Sequence, residues 1–313
     1  MDAAAGGEGS PLFPPVQPRR SGYLAVGDGH HLYFEECGPA DGVPVVFLHG
    51  GPGSGCTPAQ RRLFDPRRHR VILFDQRGCG RSEPLGRLAA NTTSHLVADL
   101  ERLRQALHIP AWFVFGGSWG STLALAYAQA HAGRVRGLVL RGIFLGTAEE
   151  IAAYAAGLPD LTGTGGDGAE RLATYARHIL GPNPRAAGRA ARAWLDHESA
   201  AMGAAPTMAA IDAGSLAKVR LQMHYLTGGC FLETPLLAGI DPLRSVPAVI
   251  VQGLADPVCP PQHAERLRRA WPEAAWVPVS GGGHGGLSPA IAAATMAALD
   301  RLVVGSFPAA VAA

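Results

Sequence analysis

Short apolar runs alternate with helical stretches along most of the chain. Unbroken apolar runs are typical of parallel strands that are covered on both faces. The strands predicted in this way are Val45–Leu48, Val71–Phe74, Trp112–Phe115, Leu138–Leu140, Val249–Gln252 and Trp276–Val279. Four leucines recur at helical spacing between Thr93 and Leu107 and predict a helix there. Strands alternating with helices favour a parallel sheet in an α/β domain.

The start and the middle of the chain depart from this alternation. Tyr23–Val26 and Leu32–Glu35 flank Gly27-Asp28-Gly29 and predict an antiparallel hairpin. From about Ile143 to Leu237 there is no clear buried strand, and Ala-rich helical stretches are separated by Gly and Pro. The predicted helices of this region are Ala148–Ala156, Glu170–Leu180, Arg189–Met202 and Ala209–Tyr225.

A helical insertion between two strands of a sheet is expected to lie over the strand ends as a cap. We therefore predict a flexible N-terminal tail over residues 1–20, an α/β core formed by residues 21–142 and 238–313, and an all-helical cap over residues 143–237.

Composition narrows the choice of partners. Charged residues make up 17% of the 313 residues and the net charge is +2, so the sequence carries no electrostatic footprint for nucleic acid or a membrane surface. The 27 basic residues include a single lysine, Lys218. No apolar run is long enough to predict a membrane-spanning helix.

The cysteines indicate the compartment. There are five, widely scattered, without a C-x-x-C pair. Residues 1–18 lack the basic start and apolar middle of a signal peptide. We therefore expect free thiols in a reducing compartment and a cytoplasmic protein.

Candidate chemistry begins at Gly116-Gly117-Ser118-Trp119-Gly120, which fits the pattern G-x-S-x-G. In this motif, the nucleophile elbow, a serine occupies a sharp turn between a strand and a helix, with its hydroxyl exposed. The predicted strand before it and the Gly- and Pro-free stretch after it supply that context. Ser118 is therefore the predicted nucleophile, and a glycine-rich turn without chemistry is the alternative.

A nucleophilic serine needs a base, and the base needs an orienting acid. In α/β-hydrolases the acid and then the histidine follow the serine along the chain. Asp256 follows one late strand and His284 follows the last, and the carboxyl ends of parallel strands are where ligands bind. The alternatives are an aspartate that starts a turn with Pro257 and a surface histidine.

The tetrahedral intermediate of acyl transfer also needs backbone N–H donors. Trp119, directly after the serine, and Gly51, in the loop His49–Gly53, are the predicted pair. A metal site is not predicted. Cys259 and His263 are four residues apart and could lie on one face of a helix, but two ligands do not make a closed metal site. The zinc-binding motif H-E-x-x-H does not occur in the sequence.

Three segments together resemble the proline iminopeptidase (prolyl aminopeptidase) family: His49–Gly53, Asp75–Ser82 and Gly116–Ser121. The likeness extends from about Ser21 to Leu302. It implies an α/β-hydrolase core with a helical cap. It also implies a cofactor-free cytoplasmic serine peptidase that removes N-terminal proline from peptides, with its triad and oxyanion donors at the positions named above.

The resemblance also implies substrate-binding residues in the cap. Glu198 matches a glutamate that binds the substrate's imino group, and Phe144 and Tyr154 match aromatic residues around the proline ring. A solvated helix carboxylate and ordinary core aromatics are the alternatives. The family usually has a second glutamate two residues before a His-Tyr pair, and this chain has Gln222 there.

The sequence is therefore compatible with three functions. The first is a prolyl aminopeptidase that acts through an acyl-enzyme. The second is a capped esterase or amidase of other specificity, and the third is a non-catalytic ligand-binding relative. Epoxide hydrolases and dehalogenases are disfavoured because their nucleophile at the elbow is aspartate.

Overall fold

An eight-stranded sheet forms the centre of the protein in the computed structural model, which describes residues 10–205 and 210–305. The strands are β1 (Arg20–Gly27), β2 (His30–Cys37), β3 (Val43–Leu48), β4 (His69–Phe74), β5 (Trp112–Ser118), β6 (Val135–Ile143), β7 (Ala248–Gly253) and β8 (Ala275–Val279). Their order across the sheet is β1-β2-β4-β3-β5-β6-β7-β8. The β1–β2 and β2–β4 pairs are antiparallel and the pairs from β4 to β8 are parallel, which confirms the predicted α/β class.

Helices connect most of the strands. In chain order the α-helices of the described residues are α1 (Thr93–Ala106), α2 (Trp119–Ala130), α3 (Ala148–Ala155), α4 (Gly168–Ile179), α5 (Pro184–Ala201), α6 (Ala213–Thr227), α7 (Pro261–Ala270) and α8 (Pro289–Val304). Short 3₁₀ helices lie at Pro58–Leu63, Ala132–Arg134, Gly229–Phe231, Leu236–Gly239 and Asp241–Leu243. Within the described ranges, none of the helices has the length and apolar character needed to cross a membrane.

Both faces of the sheet are covered, which explains the unbroken apolar runs. Successive residues of a strand point to opposite faces. In β5, Val114 packs in one core cluster with Leu100 of α1, whereas Phe115 packs in the other with Leu299 of α8. The ring of Phe47 on β3 lies 5.7 Å from that of Phe115. An alternating pattern would leave one of these two cores without apolar side chains.

The helices α3 to α6 are inserted between β6 and β7. Helix α5 begins at Pro184, five residues before the predicted start, because the Asn183 side chain accepts the N–H groups of Arg185 and Ala186 and Pro184 fits the first helical position. Helix α6 begins at Ala213, and the predicted start at 209 lies outside the described residues.

The last inserted helix is fastened to the core. The Tyr225 hydroxyl donates to Asn91 Oδ1 at 2.8 Å, and His224 Nε2 lies 2.8 Å from the Asn91 carbonyl. Tyr225 is buried, and its ring packs edge-on against that of Trp119 at 4.8 Å. The insertion is therefore joined to the core by polar contacts with the loop before α1 and by an aromatic contact with the start of α2.

The stretch before the first strand departs from the flexible tail predicted for residues 1–20. Phe13 exchanges hydrogen bonds with Arg62, whose Nε donates to the Phe13 carbonyl at 2.6 Å. Leu12 and Val16 pack against the core cluster that contains α8, and β1 begins at Arg20. Residues 1–9 of the predicted tail lie outside the described part.

Candidate active site

Ser118 occupies a strained turn between β5 and α2. Its φ of 57° and ψ of −129° are uncommon for a residue with a side chain. A Cβ on Gly116 would run into the Gly120 carbonyl, and one on Gly120 would run into the Leu48 carbonyl. Because Trp119 is the first residue of α2, its N–H has no acceptor within the helix. The turn therefore presents a hydroxyl beside an N–H that is not used within the helix.

Asp256 and His284 meet in the loops after β7 and β8. His284 Nδ1 lies 2.8 Å from Asp256 Oδ2 and 3.0 Å from Oδ1. Asp256 is 4% exposed, and its Oδ1 also accepts the N–H groups of Val258 at 2.9 Å and Cys259 at 2.8 Å. These bonds hold the carboxylate in place and orient the imidazole through Nδ1, which leaves Nε2 for another partner.

Ser118 and His284 line one cavity of about 430 Å³. Within residues 10–205 and 210–305, no hydrogen bond joins the serine hydroxyl to the imidazole. Cys259, another residue of the cavity wall, lies close enough to the Ser118 hydroxyl to interact with it. Burial raises the pKa of the Cys259 thiol, which therefore stays protonated. Catalytic hydrogen bonds are often long or poorly aligned before substrate binds.

The glycine-rich loop after β3, His49–Gly53, lies next to Ser118. A Cβ added to Gly50 would lie 3.5 Å from Ser118 Cβ, and Gly50 and Gly51 both line the cavity. Gly51 has a φ of +118°, which residues with a side chain rarely adopt. The backbone can therefore approach the reacting carbonyl closely at this point.

Gln76 connects this loop to the elbow. Its side-chain amide donates to the His49 carbonyl at 3.1 Å and accepts the indole N–H of Trp119 at 2.9 Å. Its backbone N–H donates to His49 Nε2 at 3.1 Å, so Nδ1 carries the proton and donates to the Gly50 carbonyl at 2.9 Å. Burial lowers the pKa of His49, which keeps the ring neutral. One buried side-chain amide thus connects the loop His49–Gly53 to Trp119.

The cap residues expected to contact substrate all line the same cavity: Phe144, Tyr154, Glu198 and Gln222. The Tyr154 ring packs edge-on against Trp194 at 5.8 Å. Burial, with the nearby Glu198 carboxylate, raises the pKa of Tyr154. Glu198 Oε1 accepts from Gln222 Nε2 at 2.6 Å, and Gln222 Oε1 in turn accepts from the indole of Trp194 at 2.9 Å.

Sequence reasoning missed four ionisable residues of the cavity wall: Arg141, Glu150, Lys218 and His263. Arg141 Nη1 donates to the His284 carbonyl at 2.8 Å, and burial lowers the pKa of its guanidinium. A charged residue directly after the apolar run Leu138–Leu140 was the available signal. Lys218 was conspicuous only as the single lysine of the chain.

Comparison with known proteins identifies the family to which the chain is similar. The family described as "alpha/beta hydrolase fold" matches residues 43–164, and the one described as "TAP-like protein" matches residues 237–312. The chain is 42% identical to the proline iminopeptidase of Arabidopsis thaliana over 310 residues, which cover 93% of this chain and 82% of that protein. It is also 42% identical to the proline iminopeptidase of Neisseria gonorrhoeae over 307 residues, or 93% and 99% of the two chains.

Solved structures resemble the fold as a whole. The crystal structure of a proline iminopeptidase-related protein from Thermus thermophilus matches with a TM-score of 0.61 and 26% identity, over 91% of this chain and 98% of that one. A thermophilic esterase from Thermogutta terrifontis matches with a TM-score of 0.63 and 21% identity, again over 91% and 98%. The second likeness concerns the fold alone.

Proposed function

Because the chain belongs to the proline iminopeptidase family of the α/β-hydrolases and is a prolyl aminopeptidase, we propose that it releases N-terminal proline from peptides through an acyl-enzyme on Ser118. The observation that supports this mechanism is the cavity lined by both Ser118 and His284, whose imidazole is hydrogen-bonded to the buried Asp256 carboxylate. Small peptides with N-terminal proline are the proposed substrates. We also propose a cytoplasmic location, supported by five free cysteines.

The proposed reaction begins with attack of Ser118 Oγ on the carbonyl carbon of the N-terminal residue. His284 Nε2 accepts the hydroxyl proton while Asp256 stabilises the imidazolium through Nδ1. The N–H groups of Trp119 and Gly51 are the proposed donors to the negative oxygen of the tetrahedral intermediate. Collapse breaks the C–N bond, and His284 returns the proton to the leaving amine. Water then hydrolyses the acyl-enzyme by the same two transfers.

The cap is proposed to bind the N-terminal residue. Phe144 and Tyr154 supply apolar surface for the pyrrolidine ring, and Glu198 supplies an acceptor for the imino N–H groups. Gln222 is proposed to hold Glu198 in position, because its own side chain is fixed by Trp194. Burying a cation next to a carboxylate offsets part of the cost of removing it from water.

A substrate panel tests the proposal. Purified protein is assayed with the p-nitroanilides of proline and alanine and with p-nitrophenyl esters, beside a Ser118→Ala control. We expect preferential hydrolysis of the proline anilide, which Ser118→Ala abolishes and Glu198→Ala weakens. Rapid ester turnover without anilide cleavage would instead identify an esterase, and hydrolysis that persists in Ser118→Ala would exclude the proposed nucleophile.

A further inference from the structure

The carboxylate proposed to bind the imino group already has a cation of the protein beside it. Lys218 Nζ lies 2.8 Å from Glu198 Oε2, while Gln222 occupies the other oxygen at 2.6 Å. The two charged side chains are 29% and 22% exposed, so the pair is largely removed from water. Lys218 and Glu198 both line the cavity, and the pair contributes no net charge to it.

The other charged side chains that line the cavity do not give it an excess of negative charge. Glu150, the other carboxylate among the described residues that line the cavity, lies 3.8 Å from His263 Nδ1 and 3.7 Å from Arg266 Nη1. Tyr154 is a neutral phenol, because burial raises its pKa. Arg141 adds a buried guanidinium on the side of the triad. A cationic N-terminus entering this cavity therefore meets no excess of negative charge.

We propose that Lys218 is a specificity-determining residue: its ammonium group neutralises Glu198, so the cap selects an N-terminal five-membered ring by shape and only weakly by its positive charge. The inference rests on the proposed function of Glu198 and concerns the same site. A neutral ring of the same size is then bound about as well as pyrrolidinium. An imino cation must share the carboxylate with Lys218 or displace it, and like charges at close range oppose this.

The test compares two ligands of the same ring size that differ at one ring position, where a charged NH2+ group is replaced by an uncharged CH2 group. L-Prolinamide carries the imino cation, and cyclopentanecarboxamide is its uncharged carbocyclic counterpart. Their dissociation constants are measured by calorimetry in the Ser118→Ala background, so that binding is read without turnover. The variants are Lys218→Met, which removes the charge, and Lys218→Arg, which retains it and is the matched control. Lys218→Gln provides a second neutral variant if the methionine substitution impairs folding.

The expected readout is the ratio of the two affinities. The parent protein and Lys218→Arg should bind the two amides within about threefold of each other. Neutral variants should favour L-prolinamide by about tenfold or more, as a hydrogen bond to a charged group implies. Glu198→Gln combined with Lys218→Met should return the ratio to the parent value. Gln222→Glu should raise it in the parent background, because it adds a carboxylate.

Two results would overturn the inference: an affinity ratio in both neutral variants equal to that of Lys218→Arg, or no binding of either amide by any variant. Failure of the proposed function is read separately, from proline p-nitroanilide hydrolysis by protein that retains Ser118. If the ratio of the two affinities rises in the neutral variants but the anilide is not cleaved, the inference about Lys218 holds and the proposed reaction is wrong.

Discussion

The Asp256 carboxylate that contacts His284 is also held in place by hydrogen bonds from its own loop. Its Oδ1 accepts two N–H groups of its own loop, from Val258 and Cys259, and His284 Nδ1 lies within hydrogen-bond distance of both oxygens. An ionised carboxylate can only accept, so Nδ1 must carry the proton. The bond that orients the imidazole therefore also selects its tautomer.

Asp256→Asn should leave the fold intact and lower kcat for proline p-nitroanilide by about 10⁴-fold, with little change in KM. An asparagine can present an amide N–H to Nδ1 and so favours the tautomer with the proton on Nε2, which cannot accept the serine proton. Steady-state kinetics measure the effect, and a thermal melt checks the fold. A loss below tenfold would remove Asp256 from the mechanism.

Gly51→Ala should lower kcat by about 10²–10³-fold, which is the typical effect of losing one oxyanion donor. An added Cβ would lie 2.7 Å from the Gly53 nitrogen and 2.9 Å from the Ser54 nitrogen, so the loop must shift. Steady-state kinetics with proline p-nitroanilide measure the loss.

Gly27→Ala is the matched control for backbone strain. Gly27 also has a positive φ, of +86°, but a Cβ there would meet nothing within 4 Å. We expect an ordinary stability cost of about 1 kcal/mol and an unchanged kcat. Equal losses of activity in the two variants would mean that strain in general, rather than the position of Gly51, causes the effect.

Gln76→Met should destabilise the protein by about 2–6 kcal/mol, because the indole N–H of Trp119 and the His49 carbonyl would each lose a buried partner. We also expect kcat to fall by about 10–100-fold, because small displacements of reacting groups are costly. Urea unfolding and steady-state kinetics measure the two effects. Gln105→Met, at an exposed position of α1, should change neither quantity.

Glu150→Gln should raise the thermal stability at pH 7.5. Glu150 is 4% exposed, and burial raises the pKa of its carboxyl above the usual 4.5. Below pH 4.5 the side chain is neutral in both folded and unfolded protein, and the penalty appears as the pH rises through the folded-state pKa. The glutamine variant lacks that penalty, and each kcal/mol gained raises Tm by about 2–4 °C.

The pH dependence makes this prediction specific. The gain in Tm should shrink as the pH is lowered from 7.5 towards 4.5, because the wild-type carboxyl then takes up a proton. Glu149→Gln, next along α3 with a side chain that is 84% exposed, should show no such trend. A destabilised Glu150→Gln variant at pH 7.5 would show that His263 and Arg266 outweigh the cost of burial.

The sequence predicted features that are encoded locally. Ser118 was found because its neighbours are glycines between an apolar strand and a helix, and the sheet follows from apolar runs at regular intervals. Asp256 and His284 each follow a strand, and parallel strands bring such loops to one edge. The resemblance to a known family then pointed to Glu198 within the cap.

Pairings between distant helices were not predictable. Lys218 and Gln222 lie 20 and 24 residues after Glu198, and they meet it only because α5 and α6 pack together. Helical periodicity indicates which side of a helix is buried, but it does not indicate which polar groups of two helices meet. The bridge by Gln76 depends on a third loop for the same reason.

Lys218 also determines where amine-reactive reagents can modify the protein. Apart from the α-amino group, it is the single primary amine of the chain, and it lies in the wall of the cavity that Ser118 and His284 also line. Reaction of lysine with an activated resin or a succinimidyl dye would therefore modify the wall of this cavity rather than many positions on the surface. Immobilisation therefore calls for attachment through the α-amino group or an engineered site, whereas a fluorophore on Lys218 would report occupancy of the cavity.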